Sequence, residues 1–131
     1  MKLFKRITLI LTLLLSSVNL NAQVAYPRAT YYYCGDKGMG WTVAAGEKLT
    51  PQKAKQVRYI AVSRDLERKG FKLGKYIKVE CEEYPFLNGI WRIMDRMAVR
   101  VHNGIDFLLQ NRHEQKAMKM PRKVKISLVN K

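Results

Sequence analysis

Three aspartates stand at the ends of segments that read as strands: Asp65 in IAVSRDL, Asp95 in GIWRIMDRM and Asp106 in NGIDFLL. A carboxylate at the end of a strand sits at the rim of a sheet, where it can face a cleft while the strand stays buried. Clefts are where acid/base chemistry is usually found. A carboxyl group whose pKa is raised can protonate a departing oxygen, and a second carboxylate nearby raises it further by repelling its charge. His102, in the turn-like VHNG between Asp95 and Asp106, is a further candidate acid. Glu47, after Gly46, is a fourth carboxyl able to line a groove. Each of these also has a structural reading, and for Asp65 it is the stronger one, because Asp in a loop readily forms Asx turns.

The remaining reactive residues are few. Cys34 and Cys81 could pair in an oxidising compartment, or could both be buried thiols acting as small apolar side chains; the sequence leaves both open. Neither lies in a nucleophile–base pattern with His102 or His113. No His, Cys or carboxylate spacing matches a metal site, so no metal or other cofactor is expected. The aromatic residues Tyr31, Tyr32, Tyr33, Trp41 and Trp91 offer flat faces on which a sugar ring could stack. In a strand Tyr31 and Tyr33 share one face and Tyr32 takes the other, so one face meets the core and Tyr32 is the candidate for a groove. Trp91, inside an alternating segment, belongs to the core.

The elements that position these residues can be read from the chain. Lys2, Lys5 and Arg6 precede the apolar run Ile7 to Leu15, and SSVNLNA follows, the pattern of a secretory signal cleaved near Ala22. The run is shorter than the roughly 20 residues of a membrane span, so no membrane anchor is expected in the mature chain. Residues 23–131 then form one domain. Of the chain's 25 Lys and Arg, three lie in the leader and none of its 10 Asp and Glu does, so the formal charge of +15 falls to +12. Such a balance favours polyanionic partners. Export, together with the lack of a zinc, helix-turn-helix or RRM-like pattern, argues against nucleic acid and for cell-wall polymer or anionic lipid headgroup.

Six segments read as strands: Arg28 to Cys34, Tyr59 to Ser63, Tyr76 to Cys81, Ile90 to Met94, Ile105 to Leu109 and Lys123 to Val129. Gly35 to Gly40 and Asn103-Gly104 break them. Thr50-Pro51 has the signature of a helix start, and Asn111 to Met120 reads as a helix that stops at Pro121. Many short strands and one or two short helices imply an all-β fold, a small barrel.

From Tyr59 to Val129 the sequence resembles the 3D domain, named for three aspartates. The resemblance rests on IAVSRDL, Leu73-Gly74 before a strand, NGIWRIMDRM, NGIDFLL, a short helix and a closing strand. Upstream, ATYYYCG and Thr42 to Glu47 resemble the opening of rare lipoprotein A barrels. The resemblance implies a six-stranded double-psi β-barrel acting on or binding peptidoglycan or another anionic cell-wall glycan. Its specific enzymatic form is lytic transglycosylase cleavage, in which the sugar's own hydroxyl replaces water. Similarity to membrane-bound lytic transglycosylase A maps the acid/base onto Asp106 with Asp95 as companion; similarity to rare lipoprotein A maps it onto Asp95 with Glu47. Arg96, Arg100, Asp65, Tyr32, Glu47 and His102 are then candidate binding residues. Two positions depart from the pattern: Arg96 to Arg100 (RMAVR) replaces a glycine-rich stretch, and Val62 stands where rare lipoprotein A enzymes carry histidine. The alternatives are a barrel that holds glycan without cutting it, and a protein-interaction module.

Overall fold

The structure, a computed structural model, describes residues 23–34, 40–109, 121 and 123–130. The expected signal segment 1–22 and the expected helix Asn111 to Met120 lie outside the described residues. Seven strands form one sheet: β1 (Val24–Ala25), β2 (Arg28–Tyr32), β3 (Tyr59–Val62), β4 (Tyr76–Glu80), β5 (Gly89–Arg96), β6 (Gly104–Leu108) and β7 (Lys125–Val129). The fold is all-β and barrel-like, with seven strands in place of six. The addition is the two-residue β1, too short to announce itself by alternation, which pairs antiparallel with β7.

Across the sheet the order is β1-β7-β4-β5-β3-β6-β2. β2 runs parallel to β6 and β3 parallel to β5, while β3 and β6 are antiparallel. Two crossed-over parallel pairs joined through an antiparallel centre are consistent with the double-psi arrangement.

β3 explains how the domain is layered. All four of its residues are buried, so it reads as a continuous apolar run because both of its faces are covered. Ile60 and Val62 point into the main core with Ile77, Trp91, Ile93 and Phe107. Tyr59 and Ala61 point to a second apolar layer with Tyr32, Val43, Leu49 and Leu108. The segment 41–49 covers that outer layer, held by a bridge between Thr42 and Lys48.

Trp91 lies in the main core as expected. Its ring meets Phe107 edge-on at 4.8 Å, and its Nε1 donates to the Leu87 carbonyl at 2.8 Å. Arg58 lies 4.4 Å over the same ring and donates to the carbonyls of Asn88 and Phe86, fastening the turn that opens β5. Gly89 begins that strand at φ 116°, and a side chain there would also meet Arg58 Nη1 at 2.9 Å.

Helix α1 (Pro51–Ala54) starts as its sequence implies: Thr50 Oγ1 accepts from Lys53 N at 3.2 Å, and Pro51 occupies the first turn. Helix α2 (Arg64–Arg68) follows β3 after the single residue Ser63 and buries Leu66 in the core. No helix among the described residues is long and apolar enough to cross a membrane.

Candidate functional site

Strand register brings together residues far apart in the chain. Thr30 pairs with Asp106, Asp106 with Ala61, and Ala61 with Asp95. Paired residues project to the same face. The result is one row, Thr30–Asp106–Ala61–Asp95, across β2, β6, β3 and β5 on the outer face of the sheet. The two carboxylates flank the small side chain of Ala61 and are separated by two strand spacings, about 10 Å between Cα atoms.

Asp95 reaches this face only because β5 is irregular. Ile60 pairs with Ile93, but the next residue of β3, Ala61, pairs with Asp95, so Met94 is an extra residue in β5. Simple alternation would put Asp95 on the side of Trp91 and Ile93, inside the barrel. The bulge turns it outward. There its Oδ1 accepts from the backbone N–H groups of Ala44 and Arg96, both at 2.9 Å.

Asp106 has a different environment. Burial pushes its pKa from 3.8 up to about 6; a hydrogen bond from Thr30 Oγ1 at 2.9 Å pulls it down, and the nearby Asp95 charge adds to the rise. Asp106 is therefore a carboxyl group able to hold or release a proton at mildly acidic to neutral pH.

The row is bounded differently on its two sides. On one side Tyr32, Leu108 and Tyr59 form an apolar row roofed by Leu49 and Val43. On the other, a groove of about 670 Å³ opens past Thr30, with Gly104 and Met97 along it and Arg28, Arg100 and His102 among its lining residues. Of the row, Thr30 alone lines this groove, which carries Arg28 and Arg100; Asp106 is joined to it through the Thr30 hydroxyl.

Other sequence candidates are engaged elsewhere. Asp65 stands outside the row and braces a turn: both its oxygens accept from Asn103 N, whose φ is 46°. Burial alone would raise its pKa, but hydrogen bonds from Ser63 and the backbone N–H groups of Asn103, Asp65 and Leu66 hold it below the usual carboxylate range. Glu47 is held by Lys53 and by Tyr59, whose hydroxyl donates at 2.6 Å. These bonds keep its carboxyl below the usual range, the opposite of what a proton donor needs.

Arg96 forms a two-pronged pair with Glu67, Nε and Nη2 donating at 2.8–3.0 Å, and does not line the groove. Tyr32, expected to face a groove, is 5% exposed, and its hydroxyl is buried without a hydrogen-bond partner. The tyrosine faces are both covered, because segment 41–49 roofs the second one. Cys34 and Cys81 are free thiols buried in different apolar layers, so the disulfide alternative is not formed. They act as small apolar side chains.

Arg100 and His102 line the groove. Thr30, Arg28 and Met97 are site residues for which sequence reasoning assigned no role. Their signal lay in alternation, which puts Arg28 and Thr30 on one face of β2, but their meeting with Asp106 depends on a pairing 76 residues away in the chain.

No protein-family model matches the sequence, and no curated protein sequence matches it. Solved structures do. An aspartate-to-asparagine variant of Clavibacter michiganensis expansin in complex with cellohexaose aligns with a TM-score of 0.53 at 16% identity, over 82% of this chain and 50% of that one. The same expansin without ligand gives 0.53 at 15% identity, with the same coverage. A Streptomyces papain inhibitor gives 0.56 at 12% identity, over 82% of this chain and 96% of the inhibitor. This chain thus spans about half the length of the expansin, and at these identities the likeness is one of fold. It agrees with a double-psi β-barrel.

Proposed function

We propose that this protein is an exported, cell-wall-associated barrel that binds glycan, peptidoglycan or another acidic wall polymer, across the Thr30–Asp106–Ala61–Asp95 row. The observation that carries the reading is the row itself: two carboxylates on one face of the sheet, one of them joined through the Thr30 hydroxyl to a groove with a cationic lining. Carboxylates and a threonine hydroxyl can accept from and donate to sugar hydroxyls. Arg28, Arg100 and His102 favour a glycan that carries acidic substituents. An expansin of the same fold in complex with cellohexaose supports the general class of ligand. Export by the N-terminal segment sets the compartment in which such a polymer is met.

A second reading, cleavage without water in the manner of a lytic transglycosylase, is favoured by the burial of the Asp106 carboxyl, which pushes its pKa up to about 6. Asp106 would protonate the departing glycosidic oxygen and then, as carboxylate, accept the proton of the sugar hydroxyl that attacks the anomeric carbon. The bond from that hydroxyl oxygen forms as the glycosidic bond breaks, and the product is an anhydro-sugar.

Co-sedimentation with purified insoluble peptidoglycan, followed by mass spectrometry of the soluble fraction, separates the two readings. Glycan binding predicts retention that the double variant Asp95→Asn/Asp106→Asn weakens; equal retention of wild type and variant removes the row from the site. Anhydro-muropeptides released by wild type and not by Asp106→Asn establish cleavage, and none from either leaves binding alone.

A further inference from the structure

A second charged feature lies away from the aspartate row. Arg64 and Arg68, one helical turn apart on α2, line a cleft of about 850 Å³ together with Lys72 and with Arg96 at the end of β5. The one carboxylate in this lining, Glu67, is committed to Arg96 through three hydrogen bonds of 2.8–3.0 Å. The lining therefore carries four cations against one anion. Arg64 and Arg68 stand four residues apart, so their like charges lie side by side on one face of the helix. Arg96 pairs with Val62 and Asp95 with Ala61, so the two side chains leave β5 on opposite faces. The cleft is thus separate from the carboxylate row, and its ligand does not depend on the glycan reading.

We propose that this cleft binds the phosphate group of an anionic ligand. Guanidinium forks match the oxygen geometry of phosphate, and the Glu67 pair fixes the Arg96 fork in one orientation while Arg64 and Arg68 supply two more. Lys72 adds a compact charge. A multiply charged phosphate meets the three uncompensated cations better than a single carboxylate does. Such a group could be free in solution or borne by a lipid headgroup, and the two sources are distinguished by experiment.

The intact protein is titrated with inorganic pyrophosphate by calorimetry at low salt, and co-sedimented with vesicles of phosphatidylcholine with and without phosphatidylglycerol. Two double variants remove the same charge: Arg64→Gln/Arg68→Gln in the cleft, and Lys78→Gln/Lys125→Gln on strands β4 and β7, where both lysines face Glu80. All four side chains lie at the surface, and circular dichroism and melting of both variants establish that they fold. The expected result is that the cleft variant binds pyrophosphate about tenfold more weakly while the lysine variant binds as wild type does. A parallel loss of binding to phosphatidylglycerol vesicles identifies a headgroup as a source; pyrophosphate binding without vesicle binding identifies free phosphate. Absence of binding to both probes overturns the proposal, as does an equal loss in the two variants.

Discussion

Substituting Asp106 by asparagine tests the electrostatics of the site through the stability of the whole domain. In the folded protein burial raises the Asp106 pKa from 3.8 to about 6, so the folded state holds this proton more tightly than the unfolded chain does. The stability linked to that proton is fully present below pH 3.8. It is lost as pH rises toward and through about 6, because the unfolded chain ionises freely while the folded one resists. A shift of roughly two units corresponds to about 2–3 kcal/mol, at about 1.4 kcal/mol per unit. Asparagine has the same shape, and its amide oxygen can still accept the Thr30 hydroxyl, now 2.9 Å from Asp106 Oδ1, but it carries no charge to desolvate. Urea unfolding of wild type and Asp106→Asn from pH 3.5 to pH 8 reads the effect directly. The variant should gain on wild type as pH rises, by about 2–3 kcal/mol over that range, with most of the change between pH 4 and 6. A pH-independent difference, or a variant that loses ground as pH rises, would refute the assignment of a buried, proton-holding carboxyl at this position.

Other substitutions probe the surroundings of that group. Asp95→Asn removes a like charge about 10 Å away, worth about 0.4–1.7 kcal/mol for effective dielectrics of about 80 to 20, and should lower the Asp106 midpoint by about 0.3–1.2 units in a carbon-13 NMR titration. Thr30→Val should move the same midpoint upward, because the hydroxyl that favours the ionised form is gone. Tyr32→Phe removes a hydroxyl that is buried without a partner, and is expected to leave stability unchanged or raise it by up to about 1 kcal/mol in urea melts. Tyr59→Phe frees Glu47 from one of its two anchors, so the Glu47 titration should move up toward 4.5 and the domain should lose about 1 kcal/mol.

Much of the barrel could be read in the chain because strand periodicity is local. The alternation of YIKVEC and the turn at Asn103-Gly104 are carried by neighbouring residues, and all six expected strands occur within a few residues of where they were placed. Helix α2 carried a readable signal as well. Ser63 followed by RDLER and Gly70 has the composition of a capped helix, yet the apolar run before it made Asp65 look like the end of a strand. The site was less legible because its geometry comes from pairing between distant segments. Asp106 and Asp95 were visible as candidates, but their common face depends on the extra residue Met94 in β5, and alternation alone directs Asp95 into the core. Tyr32 was misplaced for a related reason: that it faces away from Tyr31 is local, whereas the roof over it is supplied by segment 41–49. Glu47 looked free because the hydroxyl that holds it, on Tyr59, lies 12 residues away in another element.

The central claim, that glycan lies across the Thr30–Asp106–Ala61–Asp95 row, is tested most directly by mapping amide shifts in a nitrogen-15 NMR titration of the protein with soluble peptidoglycan fragments. The account predicts that the largest changes fall on Thr30, Ala61, Asp95, Gly104 and Asp106 and extend toward Arg28 and His102. Changes centred instead on the groove between β4 and β7, around Lys78 and Lys125, with the row unmoved, would contradict it.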